Sequence, residues 1–518
     1  MFVPNSMLKQ LYTLGSLKKT QSGLSFSLKN RIKSAHFNQI LHLSINEQRV
    51  DSHKIMISLD SEQQMNLHTL QNNQGVEFPL GSILNVFVEG IFVSELKTVS
   101  INITLSTQPF GDIHLTLEDK VSVSAPALNE IPRSIENDLH PEMVQARQNY
   151  VSGLTGVTPT KLFNIDVDLP SLRGNIEHFC GVAQVPLGIA GPIMVNGEHA
   201  TGEFIIPMAT TEGTLVASYN RGMKLLNKSG GVKATVVDDA MQRAPVFVFD
   251  DARKARGFGA WVASNIDEIR RQAEATDPFL KLRNIEQYKS NKFAFLRFNF
   301  TTGDAAGQNM VGRATYVACG WILEHYGNKN NTDIKNFFLE SNMATDKKAS
   351  AINILNTRGK RVTAEVTIKR DDLIEVMRVE PTQIEKHQRV ASIGSFLAGV
   401  QNTGLHSANG ITAMFIATGQ DVANVSESSS GIFYSEITEE GDLYISLTLP
   451  SLIVATCGGG TGLGTQKECL EMLHCSGPNN ALKFAEIVAS VALAGEISLA
   501  SAISSLDWVT SHEELGRN

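Results

Sequence analysis

Four short segments carry residues able to do chemistry on one carbonyl group: Met208-Ala209-Thr210-Thr211-Glu212-Gly213, Thr345-Asp346-Lys347-Lys348, Gly419-Gln420-Asp421 and Ser511-His512. They supply an acid (Glu212), a cation (Lys347), a further carboxylate (Asp421) and an imidazole (His512), each framed by small residues. Such a set can polarise a carbonyl, protonate two different atoms and hold a developing oxyanion. Alone, each segment has a plain alternative: a solvated helix face, a surface charge cluster, a tight turn, a solvated terminal His. The specific signal is the ordered set, spread over 300 residues.

The elements around these residues follow from local signals. Thr210 and Thr211 precede a helical stretch that runs to about Asn227 and stops before Gly230-Gly231, which fits the start and stop rules. Glu212 is therefore expected in the first helical turn, where the dipole favours its ionised form. Donating a proton near neutral pH would require burial or a proton network. Farther along the same helix stand Ser218, Asn220, Arg221 and Lys224; the two cations are three apart and share a face, which suits a phosphate-bearing ligand. Gly303-Asp304-Ala305-Ala306-Gly307-Gln308-Asn309-Met310 is a turn feeding a helix. Neither it nor Gly458-Gly459-Gly460-Thr461-Gly462 has the spacing of a known nucleotide loop. Backbone amides at such turns can still bind a pyrophosphate. Asp421 closes the apolar run Ile411 to Thr418 and is expected to be partly buried and paired.

The chain has 518 residues, enough for two to four domains, with 42% hydrophobic and 19% charged residues. Its net charge of −8 argues against a general nucleic-acid or anionic-membrane surface. Five cysteines without a CxxC pair suggest free thiols in a reducing, cytoplasmic setting. Cys469, His474 and Cys475 lack a second ligand pair, so no metal is expected. The apolar stretch Ile487 to Val509 is interrupted by Glu496 and Asp507 and reads as a buried core helix, not a membrane span. No signal peptide is recognised at the N-terminus.

Residues 23 to 124 have a different texture. Period-2 alternation recurs at Leu24–Leu28, Leu41–Ile45, Ile55–Leu59, Leu84–Val88, Val99–Leu105 and Ile113–Leu117, with turn residues between. That predicts a small all-β sandwich or barrel over 1–124. Ser27-Leu28-Lys29-Asn30-Arg31, Phe78-Pro79-Leu80-Gly81 and Gln108-Pro109-Phe110-Gly111 resemble the β subunit of C-glycoside deglycosidases. The expected role is an accessory or oligomerisation domain without chemistry. A linker, 125–144, contains Pro126 and Pro132, and helical periodicity begins near Pro141 and runs to about Gly153. From residue 160 the chain alternates Gly-rich turns, short strands and Ala-rich helices, as α+β domains do.

Over about residues 140 to 518 the chain resembles 3-hydroxy-3-methylglutaryl-coenzyme A (HMG-CoA) reductases. The resemblance is carried by Gln184 to Pro192, by Met208 to Ser218 (MATTEGTLVAS), and by Gly303 to Met310. It continues through Ser341-Asn342, Thr345 to Lys348, His406 and Asn409, Gly419 to Asp421, and Ser511-His512. It implies an α+β multidomain fold. A helix-rich large catalytic domain, 145–244 and 349–518, would carry an inserted ferredoxin-like cofactor domain, 245–340. A catalytic-lysine loop, 341–348, would join them.

The implied reaction takes HMG-CoA to mevalonate and free coenzyme A by two hydride transfers. By resemblance, Lys347 holds the oxyanion, Glu212 protonates the aldehyde oxygen, His512 protonates the leaving thiolate, and Asp421 links Lys347 with Glu212. Arg243, Asp346, Lys348, Asn409 and His406 would hold the hydroxymethylglutaryl part, and Ser218, Asn220, Arg221 and Lys224 coenzyme A. Asp304, Ala305, Ala306, Gly307, Gln308, Asn309, Gly458, Gly459 and Arg517 would hold the nicotinamide cofactor. The intact coenzyme-A-helix positions favour NADPH. Ala306 and Gln308 depart from the family's cofactor turn, and Asp277-Pro278 stands near where a Ser-Arg pair is usual, which leaves NADH open. The family's site forms between subunits, so a homodimer or homotetramer is implied. The rival readings are degradative oxidation of mevalonate with NAD and a non-catalytic binding homologue.

Overall fold

Alternating side chains build the N-terminal region into two antiparallel sheets. The computed structural model describes residues 8–32, 34–60, 64–67, 75–94, 97–121, 130–134, 136–326 and 333–505. One sheet centres on β1 (Gly23–Lys29), β4 (Ile83–Glu89) and β3 (Ile55–Leu59); the other on β2 (Ala35–Ile45), β5 (Thr98–Gln108) and β6 (Gly111–Lys120). Every second residue of β5 is buried, Val99, Ile101, Ile103 and Leu105 among them, as a strand with one face on a core requires. All six expected strands are present. Asp119, on β6, accepts from the Tyr12 hydroxyl at 2.7 Å and from Gly15 N–H at 2.9 Å, fixing the start of the chain.

Residues 130–140 lead to α1 (Pro141–Thr155), with His140 at its N-cap, so the last four residues of the expected linker are helical. Arg147 on α1 is buried. It donates to Pro132 O at 2.7 Å and Phe179 O at 3.1 Å, which ties the incoming chain to the segment that follows α1.

Residues 187–452 hold a long mixed sheet. Its path is β13 (Asn336–Phe338), β10 (Val246–Val248), β12 (Phe293–Thr301), β9 (Val232–Arg243), β14 (Gly359–Ile368), β16 (Leu443–Leu452) and β15 (Ile432–Ile437). β11 (Lys281–Ser290) pairs with β12, while β7 (Leu187–Gly197) pairs with β8 (Thr201–Ala209) and, in parallel, with β9. Between β10 and β13 the chain forms α3 (Ala252–Ser264), α4 (Ile266–Glu274) and α5 (Gln308–His325). The aromatic residues Phe247, Phe249, Phe258 and Phe298 pack there, in a buried cluster continuous with the β-sandwich core.

A second core surrounds α2 (Leu215–Lys228), α8 (Ser407–Thr418) and the last helix, α10 (Ala481–Ser505). α10 is long and apolar enough to cross a membrane, yet it is packed inside the protein, as the sequence reading expected. The three helices meet at glycines. A Cβ at Gly222 would lie 1.9 Å from Ala494 O, and one at Gly495 would strike the Tyr219 ring at 2.4 Å. Only glycine permits helix axes this close.

Candidate active site

Glu212 does not lie in a helical turn. β8 ends at Ala209, and the Thr210 hydroxyl accepts from Glu212 N–H at 3.0 Å, which bends 210–214 into a loop. α2 starts at Leu215, behind Thr214 at φ +67°. The expected first-turn position is thus corrected by a hydroxyl that caps a local turn instead of a helix. Glu212 is exposed, and both its oxygens accept from Asn409 Nδ2 at 2.9 Å. Asn409 sits in the first turn of α8, immediately past His406 and Ser407.

Lys347 and Asp421 form a second centre. Lys347 Nζ lies 2.9 Å from Asp421 Oδ2, with the two side chains 47% and 44% exposed. Asp421 is therefore not partly buried. It follows the Gly419 cap of α8, and its Oδ1 accepts from Ala423 N–H at 3.1 Å, so the turn holds it at the surface. Its pairing with a cation agrees with expectation. Gln420 is the buried member of that segment; it exchanges two hydrogen bonds with the Ala455 backbone, at 3.0 and 2.8 Å.

The lysine loop rests on a buried ionic network. Asp346 pairs with Arg243 (3.1 Å) and, more tightly, with Arg358, whose side chain has no exposed surface. Arg243 also pairs with Glu340 at 2.6 Å and donates to Gln308 O at 3.2 Å. Lys348 Nζ donates to Asp346 O at 3.0 Å. Glu427 is fully buried, accepts from Lys347 N–H at 3.0 Å and lies 3.5 Å from Arg358 Nε. Burial pushes the Glu427 carboxyl up and the Arg358 guanidinium down, and each is partly offset by the other's charge. Sequence reasoning missed Glu427 because it stands in a polar run, Val425 to Ser430, that reads as a solvated loop.

The residues expected to hold coenzyme A gather along α2. Ser218 Oγ contacts His406 Nε2 at 3.3 Å and Ser498 Oγ at 3.0 Å; Arg221 donates to Ser498 O at 2.8 Å. Asn220 Oδ1 accepts from Gly191 N–H at 2.7 Å, and Lys224 is exposed. Arg221 thus folds back onto α10, while Lys224 projects to solvent.

Ala305, Ala306, Gly307, Gln308, Asn309, Gly458 and Gly459 line one cleft of about 640 Å³, which Asp421 and Cys457 also border. Gly307, at φ +80°, caps the N-terminus of α5, whose free amides can face an anion. Gly458 and Gly459 have φ of +82° and +56°, and a Cβ at either would meet nothing within 4 Å. That pair leaves bare backbone open to the cleft, as a pyrophosphate needs. Asp304 is used otherwise: its carboxylate accepts from Asn479 N–H at 2.6 Å and Ala481 N–H at 2.9 Å, capping α10. Ser511, His512 and Arg517 lie outside the described residues.

The two centres stand at opposite ends of α8. From Asn409 to Thr418 is nine residues, a rise of about 14 Å, with Asp421 beyond it. Glu212 and Lys347 of one chain are accordingly placed at opposite ends of a helix, not around one carbonyl.

A family model described as hydroxymethylglutaryl-coenzyme A reductase matches residues 143–517, and one described as hydroxymethylglutaryl-CoA reductase, N-terminal domain, matches 7–122. The second match spans the β region that the sequence reading set apart as an accessory domain. The chain is 41% identical over 408 residues to the 3-hydroxy-3-methylglutaryl-coenzyme A reductase of Aeropyrum pernix, covering 77% of this chain and 95% of that protein. It is 41% identical over 376 residues to that of Methanocaldococcus jannaschii, covering 72% and 92%. Among solved structures it resembles a class II 3-hydroxy-3-methylglutaryl-CoA reductase from Streptococcus pneumoniae bound to NADPH. The TM-score is 0.52 at 20% identity, over 69% of this chain and 96% of that one, a likeness of fold.

Proposed function

Because this chain belongs to the hydroxymethylglutaryl-coenzyme A reductase family, we propose that it reduces HMG-CoA to mevalonate and free coenzyme A, with NADPH as the reductant. The observation that carries this reading is the convergence of family membership with the Lys347–Asp421 pair at the edge of a glycine-lined cleft. When bound, the nicotinamide cofactor supplies the two hydrides. The turn Ala305–Asn309, the α5 N-terminus and Gly458-Gly459 would hold its pyrophosphate. Asp304 contributes by fixing that turn to α10.

Lys347 presents an ammonium to the oxygen that gains charge when the thioester carbonyl is reduced. Asp421 keeps that ammonium oriented. Glu212, steadied by Asn409, protonates the oxygen of the aldehyde as the alcohol forms. His512 would protonate the departing coenzyme A thiolate. Ser218, Asn220, Arg221 and Lys224 would hold the coenzyme A part, and Asp346, Lys348, Arg243 and His406 would shape the hydroxymethylglutaryl pocket.

The separation along α8 supports a site made between two copies of the chain, Glu212 from one and the Lys347–Asp421 pair from the other. α7 (Pro381–Ala398) supports the same assembly. Val390, Ile393, Phe396 and Leu397 form one apolar stripe at helical spacing, with Phe396 84% and Leu397 79% exposed. A stripe of this kind is suited to a subunit interface. Residues 245–340 are read as a ferredoxin-like cofactor domain. The support is a four-strand order of β13-β10-β12-β11, all antiparallel, with α3–α4 and α5 as crossovers. The five cysteines, all free, suit the reducing cytoplasm.

The test is spectrophotometric. HMG-CoA with NADPH should oxidise two equivalents of cofactor per substrate and release coenzyme A, and a parallel run with NADH fixes the preference. No cofactor oxidation by folded enzyme overturns the assignment.

A further inference from the structure

We propose that Glu427 is a positioning residue for the oxyanion lysine: its buried carboxylate clamps the Lys347 backbone so that the ammonium is presented beside Asp421. The proposal deepens the reductase reading and rests on Lys347 holding the developing oxyanion.

Residues 341–350 contain no helix or strand. Asn342, Thr345 and Lys347 have φ of +66°, +61° and +57°, a region that side chains with a Cβ disfavour. A loop of this shape persists only where its surroundings over-determine it. Thr345 Oγ1 bonds Asn353 Oδ1 at 2.5 Å, and Asp346 is held between Arg243 and Arg358. For Lys347 the backbone anchor is Glu427 Oε1, 3.0 Å from its N–H.

Glu427 lies on the short helix Val425–Ser428, in the stretch that also supplies Asp421. Gly419–Ser428 therefore grips Lys347 twice, through its amide and through its ammonium. Between the two grips, Asn424 Oδ1 accepts from Gln308 Nε2 at 3.0 Å, which ties the same stretch to the cofactor turn. The lysine and the cofactor turn are thus held in register by one segment.

A fully buried carboxylate is costly, and an apolar side chain would fill the same space at less cost. What an apolar side chain cannot do is accept the Lys347 N–H. Arg358 balances the charge, and it too is fully buried, reaching Ala344 O at 3.2 Å and Gln242 O at 3.4 Å. With no exposed surface, Glu427 acts through Lys347 and not on the substrate.

The experiment compares full-length wild type, Glu427→Ala and Glu427→Gln with HMG-CoA and NADPH, with thermal melts as a control of folding. Gln keeps an oxygen for the Lys347 N–H. A lysine displaced by about 1 Å costs on the order of 10²-fold. Glu427→Ala should therefore lower kcat by about that factor while leaving both KM values nearly unchanged, and Glu427→Gln should recover most of kcat. In a Lys347→Ala background, Glu427→Ala should add no further loss. Should the Ala variant fail to fold, Glu427→Asp, one methylene short of the amide, carries the same comparison with Gln. Wild-type kcat in Glu427→Ala, equal losses in Ala and Gln, or a loss that adds fully to Lys347→Ala would overturn the proposal. An inactive wild type would instead sink the reductase reading, so the two failures are distinguishable.

Discussion

Two inactive variants of this enzyme should make an active one when they share a dimer. Glu212→Gln removes the proton donor at one end of α8, and Lys347→Ala removes the cation at the other. The two centres are separated by about nine residues of helix, a rise of about 14 Å. If each site draws Glu212 from one copy and Lys347 from its partner, a heterodimer of the two variants contains one fully intact site and one doubly broken site. Random pairing of equal amounts makes about half of all dimers mixed, so about a quarter of all sites are intact. Each parent should be at background, since losing an oxyanion-holding group costs about 10²–10³-fold and losing a general acid about 10²–10⁴-fold. The assay is co-expression with two affinity tags, sequential purification of the mixed dimer, and NADPH oxidation per active protein. The purified heterodimer should turn over at about half the wild-type rate. A heterodimer at background would refute the reasoning, because it would mean that both groups act within one chain.

Lys347→Ala should lose about 10²–10³ in rate in both reductive steps while binding coenzyme A normally; turnover within tenfold of wild type would exclude the oxyanion role. His512→Gln should slow thioester reduction and spare reduction of free mevaldehyde, since only the first step expels a thiolate; equal loss in both would assign His512 another role. Removal of residues 1–124 should leave an active enzyme with a lowered melting temperature. Among the described residues the β region contributes none to the cleft; it meets α5 through a long 3.4 Å bond from Tyr316 to Arg31 O, yet its core is continuous with that of 245–340. Loss of activity in a folded truncation would show that the β region shapes the site. Cys457, exposed in the cleft, should alkylate readily and be protected by NADPH, whereas burial pushes the Cys475 thiol up to about 12 and should keep it unreactive at neutral pH. Labelling of Cys457 that ignores NADPH would argue against that cleft as the cofactor site.

What the sequence made legible, and what it hid, has a physical pattern. Strands with one buried face advertise themselves by alternation, so β1 to β6 could be read from Leu24 to Leu117. The mostly small and apolar residues of α10, with few charges among them, likewise announced a buried helix. Side chains that bond to backbone were the blind spot. Thr210 could cap a helix or a turn, and its hydroxyl took the turn, moving Glu212 out of α2. Asp421 follows an apolar run, but a local bond to Ala423 keeps it at the surface. Asp304 stands in a turn proposed to hold the cofactor and spends both oxygens at the start of α10. Glu427, in a Ser-rich run with no periodicity, gave no signal, because its burial is decided by Arg358 and the lysine loop, far away in sequence.

The last helix shows why such residues matter more than their number suggests. α10 carries two buried carboxylates in an otherwise small and apolar surface, and each would be a liability unless satisfied. Glu486 accepts from His199 N–H at 2.8 Å and Ala200 N–H at 2.6 Å, closing the β7–β8 hairpin. Glu496 accepts from Leu405, His406 and Ser407 N–H at 2.6 to 2.8 Å, at the start of α8, where free amides and the dipole favour a negative charge. One helical turn supplies Glu496 for the segment that presents Asn409 to Glu212, and Ser498 for Ser218 and Arg221. Its N-terminus is held by Asp304 of the Gly303–Gly307 turn. α10 is therefore the part to which α2, the start of α8 beside Glu212 and the Gly303–Gly307 turn are all fastened. A shift of this helix would be felt at each of them, which is why its charges are tolerated in a core that could otherwise have been entirely apolar.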